Sequence, residues 1–349
     1  MLPLSPEEVT AEWMSNTLGQ KVKTVEYTGA IHTTASKLFV TVKYEDEKED
    51  DGSRPAKLCI KGGFTDMAER FPWIILIYQR EVEFFNRIAP TLKGLELPKC
   101  WWASSDAKQG IVVMDDLNAQ GFTFGDPQFE WSIEKVLASV EQLAVLHAGT
   151  WGVRAEDYPW LTADYEHAIL SLADTYEQTI NSPGRPQLIE SLTDQSRVIG
   201  ALKKHFRCRD PRFRCLLHGD THTGNTFINP SGSPGFLDWQ MIHIGSAFHD
   251  VAYFVTGALS VDNRRKHEGR IIDHYLTCLG NLRAPNFSRD EVMVEYRKSL
   301  LAGIGWIMAP DSMQSMERTL PMIGRYVAAM DDHKTIELIE SVPDTKSGS

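Results

Sequence analysis

Short runs of β-branched and aromatic residues, separated by turn-forming residues, dominate the first part of the chain. They predict strands at residues 21–27, 36–44, 56–61, 100–103 and 110–114. A capping box at Ser5 predicts a helix before the first strand, and Gly19 is expected to end it. Residues 66–88 predict a helical region that is interrupted at Pro72, because proline removes a backbone donor. Together these elements predict a small α+β lobe over residues 1–117.

After this lobe the pattern becomes mainly helical. Apolar positions at helical spacing predict helices at residues 132–147, 163–180, 186–204, 250–259, 264–282, 289–308 and 312–330. Between Asn225 and Asp238, two short apolar runs flank a stretch of Pro, Gly and Ser, which predicts a hairpin. The expected fold class is therefore α+β, with a β-rich lobe followed by a helical lobe at residues 118–349 that carries this hairpin.

Length and charge bear on the number of lobes and on the classes of partner that this protein can bind. The 349 residues are enough for two lobes. With 36 Lys+Arg and 47 Asp+Glu, the net charge is −11, so no basic excess is present to displace counterions and no nucleic-acid partner is expected. The acidic stretch at residues 45–52 is interpreted as a solvated hairpin loop, and residues 344–349 as a frayed tail.

Cysteines and the N-terminus bear on the compartment. The five cysteines include no C-x-x-C pair, and reduced thiols in a cytoplasmic protein are expected. His205, Cys208, Cys215 and His218 are possible zinc ligands by type, but their spacing is not typical of a zinc site.

The first residues lack the basic and apolar regions of a signal peptide, and the longest apolar run is too short to span a bilayer. No membrane partner is expected, and a monomer and a homodimer both remain open.

The segment from His218 to Asp238 carries the clearest chemical pattern. His218 stands two residues before Asp220, and Asn225 stands five after it, which is the H-x-D-x-x-x-x-N spacing of a kinase catalytic loop. The predicted hairpin would place Asn225 and Asp238 nearly opposite each other, within the ~5.5 Å of cross-strand neighbours. Their amide and carboxylate oxygens suit Mg²⁺, which takes few protein ligands beside water and phosphate. Asp220 is then free to orient an acceptor hydroxyl and take its proton.

Residues 216–239, with the motifs H-G-D-x-H-x-G-N and L-D-W, resemble the catalytic core of the aminoglycoside phosphotransferase and choline kinase group. Within that group they are most similar to the ecdysteroid-kinase-like (CHK-like) small-molecule kinases. The resemblance implies a protein-kinase-like bilobal fold, ATP and Mg²⁺ as cofactors, and a small-molecule hydroxyl as phosphoryl acceptor. It implies a catalytic role for Asp220 and metal ligation by Asn225 and Asp238.

Lys61 ends an apolar strand, at the position of the kinase lysine that reaches the nucleotide phosphates. Its ion-pair partner is expected on the following helix. The resemblance (R-E-V-x-F-Y) favours Glu81, and Glu83 is the alternative. The two glutamates are two residues apart and point to different sides of a helix, so only one is expected to pair with Lys61.

Other nucleotide contacts are less marked. The turn before Ser36 is expected to hold phosphate through backbone amides and hydroxyls, although residues 27–36 contain only one glycine where the family usually offers a glycine-containing turn. Met114 and Asp116, just after a strand, resemble the family's hinge (M-E-D-L), whose backbone would pair with adenine. The side chains of Asp115 and Asp116 have an alternative role as caps at the lobe junction.

The remaining polar residues near the motif have several interpretations. His218 is expected to brace the loop. His222 either contacts phosphate or acceptor or only packs, because a histidine near a carboxylate can serve either way. Asp250 is expected to cap a helix and tie down the loop. Four aromatic residues either line an acceptor pocket or pack in the core: Trp239, Tyr253, Phe254 and Trp306.

Two other functions compete with a kinase. The glycine-poor turn favours a catalytically inactive kinase-like protein that binds a nucleotide or a small molecule. The run Gly219 to His222 matches the G-D-x-H of metallophosphoesterases, but that class needs a downstream G-N-H, and here Asn225 is followed by Thr226. The identity of the acceptor is not readable from the sequence.

Overall fold

The computed structural model describes residues 2–46, 53–161, 164–311 and 313–343. The chain separates into two compact units. The first contains the residues up to Thr123 and two later segments, Asn229–Gly232 and Leu237–Ile242, and the second contains the remainder. Most of the predicted acidic loop, residues 47–52, and the predicted frayed tail, residues 344–349, lie outside the described residues.

The sheet of the first unit consists of strands β1 (Val22–His32), β2 (Ser36–Tyr44), β3 (Lys57–Gly62), β4 (Cys100–Ser105) and β5 (Gly110–Asp115). Their order is β1-β2-β3-β5-β4, and all neighbours are antiparallel. All five predicted strands are confirmed. β1 continues past its predicted end because it pairs with β2 as far as His32, which lies opposite Ser36. Most of the turn assigned to phosphate binding is therefore strand.

β3 lies in the middle of this sheet and carries Lys61 near its end. Lys61 pairs with Lys37 on β2 and with Val112 on β5, so ladder neighbours flank its backbone on both sides. Alternate residues of β2 are buried, which places Leu38 and Val40 in the core of this unit. The side chain of Lys61 therefore extends from a backbone segment that neighbouring strands hold on both sides.

The helices of the first unit are α1 (Ala11–Leu18), α2 (Met67–Arg70) and α3 (Ile74–Glu83), and α3 continues into a π-helical turn, Phe84–Ile88. The predicted interruption at Pro72 is confirmed. On α3, Ile74, Ile77 and Tyr78 are buried, and the helix packs against β5.

The predicted helix start at Ser5 is wrong. Pro6–Glu8 forms a 3-10 turn in which Ser5 accepts no capping bond, and α1 begins at Ala11 because Thr10 accepts the Trp13 N–H bond instead. The predicted end is confirmed, since Gly19 takes the left-handed conformation (φ 66°) that a helix C-terminus favours.

The second unit is mainly helical, as predicted, and the α+β class is confirmed. Its helices are α4 (Ile133–Gly149), α5 (Asp164–Ala173), α6 (Tyr176–Ile180), α7 (Gln195–Arg207), α8 (Ala247–Ala258), α9 (Val261–Asn281), α10 (Arg289–Ser299), α11 (Ile304–Met308), α12 (Met316–Asp332) and α13 (Thr335–Ser341). The short strands along this part of the chain are β6 (Thr123–Phe124), β7 (Arg214–Leu217), β8 (Thr226–Ile228), β9 (Pro234–Phe236) and β10 (His243–Ser246).

The predicted hairpin is confirmed in the pairing of β8 with β9. The two strands are antiparallel, and Thr226 lies opposite Phe236 while Ile228 lies opposite Pro234. Asn225 immediately precedes β8. β7 pairs with β10, and Leu217 at the end of β7 leads directly into His218.

Several predicted helices differ from those observed. The predicted start at residue 186 is wrong, because Asp194 caps α7 by accepting the Arg197 N–H bond. The helix predicted at residues 163–180 is two helices, and the one at 289–308 is divided by the 3-10 turn Leu300–Gly303. α13 was not predicted. No helix among the described residues is long and apolar enough to cross a membrane.

Candidate active site

Lys61 lies between two carboxylates of the first unit. Its Nζ is 2.7 Å from Glu81 Oε2 and 2.9 Å from Asp238 Oδ1. The side chains of Lys61 and Glu81 are each 4% exposed, and that of Asp238 is 26% exposed. Burial alone would lower the pKa of Lys61, but Asp238 and Glu81 together raise it above its ordinary value. Lys61 is therefore a protonated, positioned cation at neutral pH.

Two carboxylates share one ammonium in this cluster. Burial raises the pKa of Glu81, and Asp238 adds to the rise while Lys61 opposes it. Glu81 Oε1 also accepts the Trp239 N–H bond at 3.2 Å. If both acids are ionised, the cluster carries excess negative charge, which a further cation would neutralise.

The backbone at Asp238 is strained. Asp238 has φ 67° and ψ 67°, a left-handed conformation that costs a residue other than glycine on the order of 1–3 kcal/mol. The next residue holds it in place, because the buried Trp239 ring stacks on Phe84 with ring centroids 3.8 Å apart and planes at 6°. Strain of this kind often accompanies a functional carboxylate.

Glu81, not Glu83, is the partner of Lys61. Glu83 forms an ion pair with Arg87, one helical turn further on, and its side chain is 23% exposed. The two glutamates thus face different sides of the helical segment, as their spacing predicts.

Ser36 begins β2 and is buried, and its hydroxyl lies 2.9 Å from His32 Nδ1. Residues 33–35 form the turn between β1 and β2. The Tyr78 hydroxyl, on α3, donates to the Thr34 carbonyl at 2.6 Å and so fixes this turn. A phosphate contact by Ser36 stays a prediction.

Met114 is the last residue but one of β5, and Asp116 directly follows the strand. Met114 is buried, and Asp116 Oδ1 accepts the Asn118 N–H bond at 3.0 Å. Asp115 accepts a bond from Trp101 Nε1 at 2.6 Å. Both acidic side chains therefore serve as local acceptors. Only Asp116 accepts a backbone N–H bond, and Leu117 occupies the N-cap of the next 3-10 turn without a side-chain cap bond, so the capping role stays a prediction. Nucleotide contact by Met114 and Asp116 stays a prediction.

In the second unit, side chains hold Asp220 at both carboxylate oxygens. Asn225 Nδ2 donates to Asp220 Oδ2 at 3.0 Å and to the Asp220 carbonyl at 2.9 Å. The Tyr253 hydroxyl donates to Oδ1 at 3.1 Å. The Asp220 side chain is still 35% exposed. The carboxylate is thus both oriented and accessible.

The backbone of residues 218–225, which we call the Asp220 loop, is anchored to Asp250. The N–H groups of His218 and Gly219 donate to the two Asp250 carboxylate oxygens at 2.7 and 3.0 Å. The Thr221 hydroxyl donates to the Asp250 carbonyl at 3.0 Å. Within the loop, the Asp220 N–H donates to His218 Nδ1 at 3.2 Å, so the expected bracing role of His218 is confirmed.

Asp250 is fully buried and is itself held by His147. His147 Nε2 lies 3.2 Å from Asp250 Oδ2, and His147 Nδ1 lies 2.7 Å from the Tyr275 hydroxyl. Burial alone would raise the pKa of Asp250, but hydrogen bonding and charge from His147 hold it well below the ordinary value. The predicted tie to the loop is confirmed. The predicted helix cap is wrong, because Ser246 occupies the N-cap position of α8 and the carboxylate bonds to the loop.

His222 lies beside Asp220, with Nε2 3.6 Å from Asp220 Oδ2. Its ring packs edge-on against Trp306, with centroids 5.3 Å apart. Its Nδ1 is buried without a hydrogen-bond partner among the described residues. A packing contact is therefore present, and a phosphate or acceptor contact stays a prediction.

The predicted site residues fall into two groups. Lys61, Glu81 and Asp238 meet in the first unit. Asp220, Asn225 and His222 meet in the second. Because Asn225 and Asp238 belong to different units, their shared ligation of Mg²⁺ stays a prediction.

A sequence model of the ecdysteroid kinase-like family matches residues 32–284, which is most of the chain. This chain belongs to the ecdysteroid kinase-like family. The resemblance inferred from residues 216–239 is thereby confirmed. An uncharacterized kinase-like protein of Caenorhabditis elegans is 25% identical over 215 residues, or 57% of this chain and 55% of that relative. The match thus spans about half the length of the relative.

Solved structures show the fold of this ecdysteroid kinase-like protein. Choline kinase LicA from Streptococcus pneumoniae has a TM-score of 0.52 at 17% identity, covering 94% of this chain and 99% of that one. Spectinomycin phosphotransferase APH(9)-Ia in its AMP-bound complex has a TM-score of 0.50 at 13% identity, covering 97% and 99%. The predicted kinase-like fold is confirmed.

The sequence indicated a pocket or core position for Tyr253 and did not predict its hydrogen bond to Asp220. Tyr253 lies three residues after Asp250 on α8, so both side chains are near the Asp220 loop, and this helical spacing was the available signal. Of the other aromatic residues, Trp306 packs on His222. Trp239 and Phe254 belong to the buried core of the ecdysteroid kinase-like protein.

Proposed function

We propose that this ecdysteroid kinase-like protein is an ATP- and Mg²⁺-dependent phosphotransferase that moves the γ-phosphoryl group to a hydroxyl of a small-molecule metabolite. The observation that carries the proposal is the buried cluster in which Lys61 contacts both Glu81 and Asp238. Such a positioned cation suits the phosphates of a nucleotide, and phosphoryl transfer depends mainly on placement and charge stabilisation.

In this proposal Asp220 orients the acceptor hydroxyl and takes its proton. The bonds from Asn225 and Tyr253 fix the direction of its two oxygens. An oriented carboxylate does not need to reorganise when the acceptor arrives, which favours proton transfer.

Asn225 and Asp238 are the proposed residues for Mg²⁺. Their donor atoms are an amide oxygen and a carboxylate oxygen, which are the hard ligands that Mg²⁺ prefers. Asn225 uses its Nδ2 to bond Asp220, so its Oδ1 is the ligand atom. Bound Mg²⁺ would supply positive charge to the transferring phosphates.

Nucleotide contacts by Ser36, Met114 and Asp116 are part of the same proposal. The AMP in the complex of the structurally similar spectinomycin phosphotransferase supports nucleotide use. We further propose a cytoplasmic location, since the five cysteines are thiols and not disulfides, and such thiols suit a reducing compartment. A small-molecule hydroxyl as the acceptor and a monomeric or homodimeric state stay predictions.

The proposal is tested by nucleotide binding and turnover. Mg·ATP is expected to raise the melting temperature, because a ligand that binds only the folded state stabilises it. ADP release is expected to depend on one or more members of a panel of alcohols, and to stop when a chelator removes Mg²⁺. If Mg·ATP does not change the melting temperature, the inactive small-molecule-binding protein is the better interpretation.

Glu81→Gln is expected to lower kcat/KM for ATP by about tenfold or more, since hydrogen bonds to charged groups contribute about 1.5–3 kcal/mol. Glu83→Gln is the matched control, because it changes the same residue type two positions away. Its ion pair with the exposed Arg87 lies at the surface and contributes about 0–1 kcal/mol, so the effect of Glu83→Gln on kcat/KM should stay near about twofold. Steady-state kinetics measure both variants. If Glu81→Gln and Glu83→Gln lowered kcat/KM for ATP equally, a specific role of Glu81 would be contradicted.

Tyr253→Phe is expected to lower kcat by roughly tenfold or more, because Asp220 loses a hydrogen bond worth about 1.5–3 kcal/mol. KM for ATP should not change. Tyr326→Phe is the control: its hydroxyl donates to the Tyr253 carbonyl at 2.7 Å, so the variant loses a neighbouring buried bond but not the bond to Asp220. A similar fall in kcat for both variants would show a packing effect only.

A further inference from the structure

A group of metal-ligating side chains lies on the surface of the second unit, between α4 and α9. Glu141 belongs to α4, and His274 and Cys278 belong to α9. His274 and Cys278 are four residues apart, so they project from the same face of that helix. One donor atom from each of the three residues lies within 4.8 Å of the other two.

The three donors converge around one ring nitrogen. His274 Nε2 is 2.7 Å from Glu141 Oε1 and 3.8 Å from Cys278 Sγ. A tetrahedral zinc ion binds nitrogen and oxygen at about 2.0–2.2 Å and sulfur at about 2.3 Å, which places its ligand atoms roughly 3.3–3.8 Å from one another. Small rotations of these side chains, of which Glu141 is exposed and His274 and Cys278 are partly exposed, would convert the present arrangement into that geometry.

We propose that Glu141, His274 and Cys278 bind a divalent metal ion of the zinc class, with water as a further ligand. Thiolate and imidazole ligands select soft and borderline ions such as Zn²⁺ over Mg²⁺. The side chains of His274 and Glu141 are 33% and 50% exposed, so solvent reaches the site and can supply the water ligand. On binding, Cys278 releases its thiol proton to solvent and His274 binds as the neutral imidazole.

This site is chemically different from the proposed Mg²⁺ site. Asn225 and Asp238 offer oxygen atoms only, whereas Cys278 offers sulfur. An excess of Mg²⁺ would therefore saturate the oxygen site and leave the thiolate site available to Co²⁺ or Zn²⁺. The inference thus does not depend on the proposed function.

The metal would join two helices that also support the Asp220 loop. Tyr275 directly follows His274 on α9, and its hydroxyl lies 2.7 Å from Nδ1 of His147 on α4. His147 in turn contacts Asp250, which binds the loop amides. We expect metal bound at Glu141, His274 and Cys278 to raise the melting temperature of the protein by fixing this helix pair.

Co²⁺ is the spectroscopic probe for the site. Untagged, chelator-treated full-length protein in excess Mg²⁺ should bind one equivalent of Co²⁺ and develop the near-ultraviolet charge-transfer band of a cobalt–thiolate bond. Added Zn²⁺ should displace the cobalt and remove the band. Binding of Co²⁺ without a charge-transfer band at one equivalent would overturn the assignment.

Variants identify the ligands. Cys278→Ser should abolish the band, and Glu141→Gln and His274→Ala should each weaken metal binding by roughly 10–100-fold or more, as loss of even supporting groups does at metal sites. The controls are Cys100→Ser, another partly buried cysteine, and His267→Ala, another histidine of α9. Both should bind Co²⁺ as the parent does.

The variants also separate binding from folding. All three side chains are at least partly exposed, so the metal-free variants should melt at the same temperature as the metal-free parent. The rise in melting temperature caused by Zn²⁺ should be lost in Cys278→Ser and kept in Cys100→Ser. The proposal would be overturned if Cys278→Ser still showed the charge-transfer band with Co²⁺ or still showed the rise in melting temperature with Zn²⁺.

Discussion

Asp220→Asn is expected to lower acceptor-dependent turnover by about 10²–10⁴-fold, the usual contribution of a positioned general base. The amide has the shape of the carboxylate but cannot take a proton from the acceptor hydroxyl. Its carbonyl oxygen can still accept one of the bonds that Tyr253 and Asn225 donate. The loss is measured as ADP formed per enzyme at saturating Mg·ATP and acceptor.

The same variant should keep its fold and its nucleotide binding. Asp220 is 35% exposed, so the substitution buries no new unpaired group. The rise in melting temperature with Mg·ATP should match that of the parent. Undiminished turnover would exclude Asp220 as the base. If the variant loses both its turnover and the rise in melting temperature with Mg·ATP, Asp220 has a role in nucleotide binding instead.

The elements that the sequence predicted correctly carry strong local signals. β2 alternates buried and partly exposed residues along its length, and Pro72 and Gly19 mark boundaries by backbone properties of their own. The boundaries that were wrong involve competing caps. Ser5 and Thr10 are both able to begin a helix, and only the contacts of the folded chain decide that Thr10 does so.

The candidate site was predictable where motif spacing brings residues together. Asp220 and Asn225 are five residues apart in one loop, so their hydrogen bond follows from local geometry. The Lys61–Glu81 pair was predictable from a family pattern, although the sequence left Glu83 as an alternative. The left-handed conformation of Asp238 was not predictable, because it depends on the packing of Trp239 against Phe84.

The role of Asp250 shows why long-range contacts escape a sequence pattern. An aspartate in the first turn of a helix usually serves that helix, by capping it or by opposing its dipole. Here the carboxylate accepts bonds from His218 and Gly219, which are about thirty residues earlier in the chain. A buried carboxylate needs such donors, and the fold alone determines which donors are near.

Asp250→Asn is expected to lower the free energy of unfolding by about 3–5 kcal/mol, because the buried carboxylate accepts several hydrogen bonds and each bond to a charged group is worth about 1.5–3 kcal/mol. The carboxylate accepts the His218 and Gly219 N–H bonds and contacts His147, whereas an amide would turn an NH₂ group toward one of these donors. With an unfolding entropy of about 2.1 cal/mol/K per residue, a loss of this size would lower the melting temperature of a 349-residue protein by roughly 4–7 °C. Thermal unfolding followed by circular dichroism measures the change.

Asp262→Asn is the matched control, because Asp262 occupies the first turn of α9 as Asp250 occupies that of α8, but it is exposed. Both variants lose a charge near a helix N-terminus, and only Asp250→Asn disturbs the loop anchor.

The pKa of Asp250 lies below its ordinary value of 3.8, so the stability that its charge contributes is present above that pH and is lost as the pH falls below it. The difference between the parent and Asp250→Asn should therefore shrink in acid. A difference that grows in acid, or equal losses in both variants at neutral pH, would contradict the anchoring role of the charged Asp250.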